Sequence, residues 1–291
     1  MNHKADKITI TECPRDAMQG LKTIIDTEDK ITYINLLLKA GFDVLDFGSF
    51  VSPKAIPQMA DTHEVAEAID LSNTNTALLA IVGNIGGAER SNQFPFIKYL
   101  GYPHSVSNTF LQRNINSNID DSLNRVKTLQ EFCNDNNKEQ VVYISMAFGN
   151  PYEDLWTPQL VAEEVKKLSD LGIKHISLAD TIGEAKPEDI SSLFNELIPA
   201  FPHIEFGAHF HTRPDNWFQN IKAAYESGCR KFDSAMLGFG GCPMAKDTLT
   251  GNLPTENLVA FCDENNITTG INMAEFKNCI LAANELFQGK S

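Results

Sequence analysis

The sequence predicts a (β/α)8 TIM barrel with a C-terminal extra helix, one catalytic domain over residues 1–291. Three observations carry this expectation. Short apolar stretches alternate with amphipathic ones almost to the end, in about eight strand–helix units. No Pro/Ser-rich linker and no internal repeat divides the chain. Its 291 residues suit one large α/β barrel. A doubly wound open sheet is the alternative arrangement of the same units. A barrel makes a specific demand: the active site must lie at the C-terminal ends of the strands.

Taken in order, KITITE (7–12) alternates as a strand does. TEDKITYINLLLKAG (27–41) sets Ile31, Ile34, Leu37 and Leu38 on one helical stripe and stops at Gly41. FDVLDFGSF (42–50) is strand-like, HEVAEAID (63–70) helical, and TALLAIVG (76–83) a buried strand. Residues 84–100 hold a short helix and then a fourth strand around FIKYLGY. DSLNRVKTLQEFC (121–133) repeats Leu123, Val126, Leu129 and Phe132 at helical spacing, and VVYISMAFG (141–149) is the fifth strand. TPQLVAEEVKKLSDLG (157–172) is a helix with Thr157 as cap and Pro158 in its first turn. Strand KHISLAD, helix PEDISSLFNELIPAF, strand IEFGAHFH, helix PDNWFQNIKAAYESG, strand KFDSAML and helix TENLVAFCDENN follow. MAEFKNCILAANELF closes the chain as the extra helix.

Composition narrows the function. Hydrophobic residues make up 42% and charged residues 21%, enough for a full core. The net charge of -14 argues against general nucleic-acid or anionic-membrane binding. A phosphate-bearing substrate therefore needs a few local Lys or Arg residues. No apolar run has transmembrane length, and MNHKADKITITE has no signal-peptide core. The six cysteines are scattered without a CxxC pair, which reads as reduced and cytoplasmic.

Polar groups gather at the expected strand ends. Glu12, Arg15 and Asp16 leave the first strand together, and Asp46 lies near the end of the second. Asp180-Thr181 ends the sixth, His209-Phe210-His211 the seventh, and the eighth runs into GFGGCPMAKDTLTGN (238–252). Residues i and i+2 on a strand face one side, so His209 and His211 either share a metal or are satisfied by hydrogen bonds. Strands one, seven and eight adjoin in a closed barrel, which brings Asp16 and Asn252 to the histidines. Such a mixed N/O set suits Mg²⁺ or Mn²⁺, with Zn²⁺ or Co²⁺ also fitting. Arg15 either forms a surface ion pair or stabilises an oxyanion. Glu12 and Asp46 serve as its partners or as catalysts. Asp180 caps the next segment or orients a ligand. Lys22, paired with Gln19, is solvated or meets a phosphate. Cys242, among glycines, is a reagent or a filler; the other five cysteines read as packing residues.

These residues belong to recognisable stretches: PRDAMQ, SFVSPKAIPQMAD, RNIN, NPYED, SLADTIG, AHFH, GFGGCP and TGNLPTENLV. Together they resemble the 3-hydroxy-3-methylglutaryl-CoA lyase family, of the metal-dependent TIM-barrel lyase and acyl-transfer superfamily, over nearly the whole chain. The resemblance implies metal ligation by Asp16, His209, His211 and Asn252, and a thioester enolate oxygen facing Arg15. It makes Cys242 a catalytic thiol on a mobile loop, with Asp180 and Glu12 supporting the site. It places Lys22 near the CoA moiety, with Gln19 and Asn114 lining the pocket. The implied reaction cleaves a 3-hydroxyacyl-CoA, with His209 as a candidate base.

The chain departs from the family pattern at Asp46, where the lyases carry Glu. It departs again at Thr212-Arg213-Pro214 and in a longer span from Cys242 to Asn252. The expected partners are an acyl-CoA and a second copy of the chain in a homodimer, without nucleic acid or membrane. Two other readings are an acyl-CoA/2-oxo acid condensing synthase and a catalytically silent acyl-CoA- or metal-binding barrel.

Overall fold

The computed structural model describes residues 6–241 and 250–288. Eight parallel strands close into a barrel in sequence order. The chain runs β1 (Thr9–Glu12), α1 (Pro14–Gln19), α2 (Thr27–Ala40), β2 (Val44–Ser49), α3 (Thr62–Glu67), β3 (Ala77–Ile81), α4 (Ile85–Ser91) and β4 (Ile97–Ser105). It continues through α5 (Asn108–Ile115), α6 (Ile119–Asp135), β5 (Glu139–Ser145), α7 (Pro158–Asp170), β6 (His175–Asp180) and α8 (Pro187–Ala200). It ends with β7 (Glu205–Phe210), α9 (Trp217–Glu226), β8 (Lys231–Ser234), α10 (Thr255–Glu264) and α11 (Met273–Gln288). β1 pairs with both β2 and β8, which closes the barrel and removes the open-sheet alternative.

Local chemistry sets most element ends. Gly41 ends α2 in the left-handed conformation at φ 80. Thr157 Oγ1 accepts from the Leu160 amide at 3.2 Å and caps α7, as its sequence predicts. Two helices add to the expected set. Pro14 opens α1 with its pre-set φ. At the start of α5, Ser107 Oγ accepts from the Phe110 amide at 3.0 Å. Ser107 in turn donates to Asp154 at 2.5 Å, and Thr109 donates its amide to the same carboxylate at 3.1 Å. That carboxylate is 47 residues away, so the sequence around α5 does not show it.

Several strands differ in length from expectation. β4 runs on through Pro103 to Ser105. β5 stops at Ser145 because Met146 turns to φ 60. β8 stops at Ser234, and Met236–Gly238 forms a 3-10 turn.

Alternation divides the core. Val44, Leu79, Ile81, Tyr99, Val141 and Tyr143 pack inside the barrel, while a larger apolar layer lies between strands and helices. A Cβ on Gly101 would sit 2.5 Å from Ile81 Cδ1 and 3.1 Å from Tyr143, so glycine keeps room in the inner layer. Cys13, Cys133, Cys229, Cys262 and Cys279 are free and buried. Among the described residues no helix is long and apolar enough to cross a membrane.

The barrel floor is ionic. His175 lies 3.0 Å from Glu205 and 2.5 Å from Glu139, and Lys231 Nζ is 3.0 Å from Glu205. The His175 hydrogen bond pulls Glu205 down to about 2 against partial burial, helped by the Lys231 charge. A depressed carboxylate stabilises the fold above its unfolded value of about 4.3, and the contribution is lost as pH falls toward the folded value. Glu205 is 47% exposed, so solvent screens the pair. Glu205→Gln is expected to lower Tm at pH 7 by about 2–4 °C or less. The gap should shrink as pH drops from about 4.5 toward 2. Calorimetric scans from pH 7 to 3 check this, and a gap independent of pH contradicts it.

Candidate active site

The C-terminal mouth of the barrel opens into a cavity of about 700 Å³. Arg15, Asp16, Gln19, Asn114, His209 and His211 all line it. β1 turns straight into α1, so the first helical turn presents Arg15 and Asp16 inward, both buried. β7 delivers His209, and His211 follows one step past the strand end in an antiparallel bridge to Asn252. The Thr212 amide donates to the Gly251 carbonyl at 2.9 Å and the Leu253 amide to the Phe210 carbonyl at 2.9 Å. These two bonds stitch residues 251–253 across the end of β7.

Asp16, His209 and His211 each offer a ligand atom, all within 4.8 Å of one another. His209 Nε2 stands 3.9 Å from Asp16 Oδ2. His211 is 3% exposed, and among the described residues its Nδ1 has no hydrogen-bond partner. An orphaned buried nitrogen beside a carboxylate is what a cation would satisfy, so the residues fit a divalent ion. Burial raises Asp16, but Arg15 and the two histidines outweigh it and hold the carboxyl near about 2. Burial and the neighbouring His209 charge press His211 down to about 4, against the pull of Asp16. Burial also lowers His209, yet its Asp233 hydrogen bond and charge carry it above the ordinary value.

Asn252 stands beside this cluster as a donor. Its Nδ2 gives hydrogen bonds to Asp16 Oδ2 at 2.7 Å and to the Phe239 carbonyl at 2.9 Å. The amide nitrogen rather than the oxygen faces Asp16, which differs from the ligand orientation that metal ligation by Asn252 implies. Gly240 crosses just above, at φ 107. A Cβ there would meet Asn252 Nδ2 at 2.3 Å and the Asp16 carbonyl at 2.8 Å, so only glycine passes. Cys242 lies outside the described residues.

Arg15 is clamped. Its Nε lies 3.0 Å and its Nη2 2.5 Å from Asp46 Oδ2. Its Nη1 donates to Asp16 at 3.0 Å and to Gln19 at 2.8 Å. Of the five donors on a guanidinium, this leaves one Nη2 hydrogen for a ligand. Asp46 is fully buried, and burial lifts it to about 6 despite Arg15. It is a partner of Arg15, and the cavity wall does not include it.

Three residues stand away from the chemistry that the resemblance implies for them. Glu12, expected to assist catalysis beside Arg15, turns away from the cavity. It accepts from Thr255 Oγ1 at 2.6 Å and from the Met236 amide at 2.9 Å, tying β1 to the start of α10. Burial pushes it up to about 8. Asp180 likewise faces its own loop, accepting the Glu184 and Ala185 amides at 3.1 and 2.9 Å. Burial raises it to about 6 against those amides. Lys22 is exposed and outside the lining; among the described residues Arg113 and Arg125 share the cavity with Arg15.

Sequence reasoning missed Tyr143 and Asp233. The Tyr143 ring meets His209 edge-on at 5.6 Å. Asp233 is the Cα partner of His209 across the β7–β8 register. A signal for Asp233 was present: Lys231 and Asp233 are charged at i and i+2, on one face of the strand.

A (β/α)8 barrel with a cation-ready carboxylate–imidazole cluster and a clamped arginine at its mouth has the layout of a metal-dependent barrel enzyme. More narrowly, residues 7–280 match the HMGL-like family, and the chain belongs to it. It is 34% identical over 268 residues to hydroxymethylglutaryl-CoA lyase YngG of Bacillus subtilis, covering 92% of this chain and 89% of the relative. It is also 34% identical to a 3-hydroxy-3-isohexenylglutaryl-CoA/hydroxymethylglutaryl-CoA lyase of Pseudomonas aeruginosa, with 92% and 88% covered. Its fold is similar to that of an HMG-CoA lyase from Acinetobacter baumannii in complex with coenzyme A and 3-methylmalate. That likeness has TM-score 0.90 at 31% identity, with 98% of this chain and 93% of that one covered.

Proposed function

We propose that the protein is a divalent-metal-dependent carbon–carbon lyase. In this reading it cleaves a 3-hydroxyacyl-CoA, 3-hydroxy-3-methylglutaryl-CoA to acetyl-CoA and acetoacetate. The observation that carries the reading is the cluster of Asp16, His209 and His211 sharing one cavity with Arg15. The three ligand residues would hold the ion, with Asn252 beside them. When bound, the ion would supply Lewis acidity to the substrate's oxygens.

The chain's own residues account for the rest. The C3 hydroxyl gives up its proton to solvent in the cavity and becomes the ketone of acetoacetate. The C2–C3 bond breaks, and its electron pair moves through C2 onto the thioester oxygen. The remaining Arg15 N–H faces that developing charge. C2 then takes up one proton, which balances the one lost from the hydroxyl. Cys242 is the proposed thiol donor of that proton; a Cys242→Ser variant with undiminished kcat removes this role. His209 has only Nε2 free toward the cavity, because Nδ1 is engaged by Asp233 at 3.1 Å. One lone pair cannot both ligate and abstract a proton, so the base role passes from His209 when the ion is bound.

A panel assay on metal-reconstituted protein tests the reading. Acetyl-CoA is expected from 3-hydroxy-3-methylglutaryl-CoA or from a homologue with a longer 3-alkyl group. Free CoA released only from acetyl-CoA plus a 2-oxo acid identifies the synthase instead, and CoA binding without turnover identifies the silent barrel. The same reading makes the protein a cytoplasmic homodimer of leucine degradation or ketone-body-type metabolism. A monomer in sedimentation at micromolar concentration contradicts the dimer.

A further inference from the structure

We propose that Asp233 is a positioning residue for the metal site, holding His209 with its proton on Nδ1 and its lone pair on Nε2, toward Asp16 and His211. The proposal rests on the metal reading above. Its starting point is register: in the β7–β8 ladder His209 lies directly beside Asp233. Asp233 Oδ2 is 3.1 Å from His209 Nδ1 and accepts from Ser177 Oγ on β6 at 3.1 Å. Three adjacent strands thus contribute one hydrogen-bonded line across the barrel interior, ending at the cavity.

Charge makes the arrangement more than a convenient hydrogen bond. Asp233 is 3% exposed, and a buried carboxylate without a cation is costly. Lys231 is the nearest cation on the same strand and face. Its Nζ is drawn to the floor instead, 3.0 Å from Glu205. Among the described residues Asp233 has no Lys or Arg partner, and its one ion-pair partner is His209. An imidazole bearing a cation on Nε2 supplies the missing positive charge through Nδ1–H.

The two histidines are therefore built differently. His209 presents Nε2 with Nδ1 held by a carboxylate. His211 presents a buried Nδ1 that has no partner among the described residues. A metal-ligating histidine whose second nitrogen donates to a carboxylate is fixed in tautomer and ring orientation, and gains basicity. Asp233 should act on His209 alone.

Two measurements made without acyl-CoA test this, so their outcome is separate from the choice of substrate. Long-range ¹H–¹⁵N correlation spectra of ¹⁵N-histidine-labelled apoprotein at pH 8 report the tautomer, with His209 assigned by its loss in His209→Gln. The expected result is a single proton on Nδ1. A proton on Nε2 overturns the proposal, and this readout needs no Asp233 variant. Mn²⁺ affinity, by electron paramagnetic resonance of the free ion, is expected to fall about 10–100-fold in Asp233→Ala. Asp233→Asn keeps the shape and should fall less. Circular dichroism melts accompany both. Wild-type Mn²⁺ affinity in a folded Asp233→Asn or Asp233→Ala protein overturns the assignment. If Asp233→Ala does not fold, the tautomer and Asp233→Asn decide.

Discussion

His211→Ala is expected to abolish metal binding and lower kcat by about 10³-fold or more while leaving the fold nearly as stable as before. The metal is asked for several kcal/mol of charge stabilisation, and each 1.36 kcal/mol is tenfold in rate. The small stability cost follows from the site itself. Among the described residues His211 Nδ1 is buried without a hydrogen-bond partner, so the substitution gives up the ring's bond to the Thr181 backbone but also removes a buried polar atom that is costly unpaired. Asp16→Ala is expected to lose the metal too, but at a higher price in stability. It strips acceptors from Arg15 Nη1, Gln19 Nε2 and Asn252 Nδ2 together. Metal content by plasma emission, kcat, and thermal melts of both variants check this. Full metal occupancy in His211→Ala contradicts the ligand assignment. A collapse of its Tm matching that of Asp16→Ala contradicts the account of the orphaned nitrogen.

How far the sequence reaches is visible in the same residues. The barrel was legible because strand and helix periods alternate, and because parallel strands need crossovers. The i, i+2 histidines were legible because a strand has period two, and Asp16 because closure makes β1 and β8 neighbours. What was not legible depends on partners distant in sequence. Asp154 caps α5 from 47 residues away. Glu12 looks as available as Arg15 in TECPRD, yet its acceptors are taken by Thr255 and Met236, more than 200 residues on. Asp180 spends its oxygens on the loop that follows it, which a cap signal allows but does not decide. Lys22 sits three residues after Gln19, but α1 ends at Gln19, so the lysine leaves the cavity wall. Asp233 was hidden by a short strand whose inward face carries a floor cation and a mouth-side anion two residues apart.

Arg15→Met is expected to lower kcat by about 10²–10³ through loss of the donor facing the thioester oxygen. KM should change little, because the interaction belongs to the transition state. The same variant should also be less stable by about 3–5 kcal/mol, since it leaves Asp46 buried without its cation. Asp46 is 0% exposed and is held only partway down by Arg15 against burial. Arg15→Lys should not rescue either property. A lysine is a point charge, and it cannot span Asp46, Asp16 and Gln19 as the planar guanidinium does. The two effects separate in the double variant Arg15→Met/Asp46→Leu. Removing both charges of a buried pair is often neutral for stability, so the melt should recover most of the loss. The activity should not recover, because the donor is still missing. Chemical denaturation and steady-state kinetics on the single and double variants read the two outcomes independently. If kcat returns with stability, Arg15 acts by holding the fold of the mouth, and the charge developing on the thioester oxygen must be met by another group.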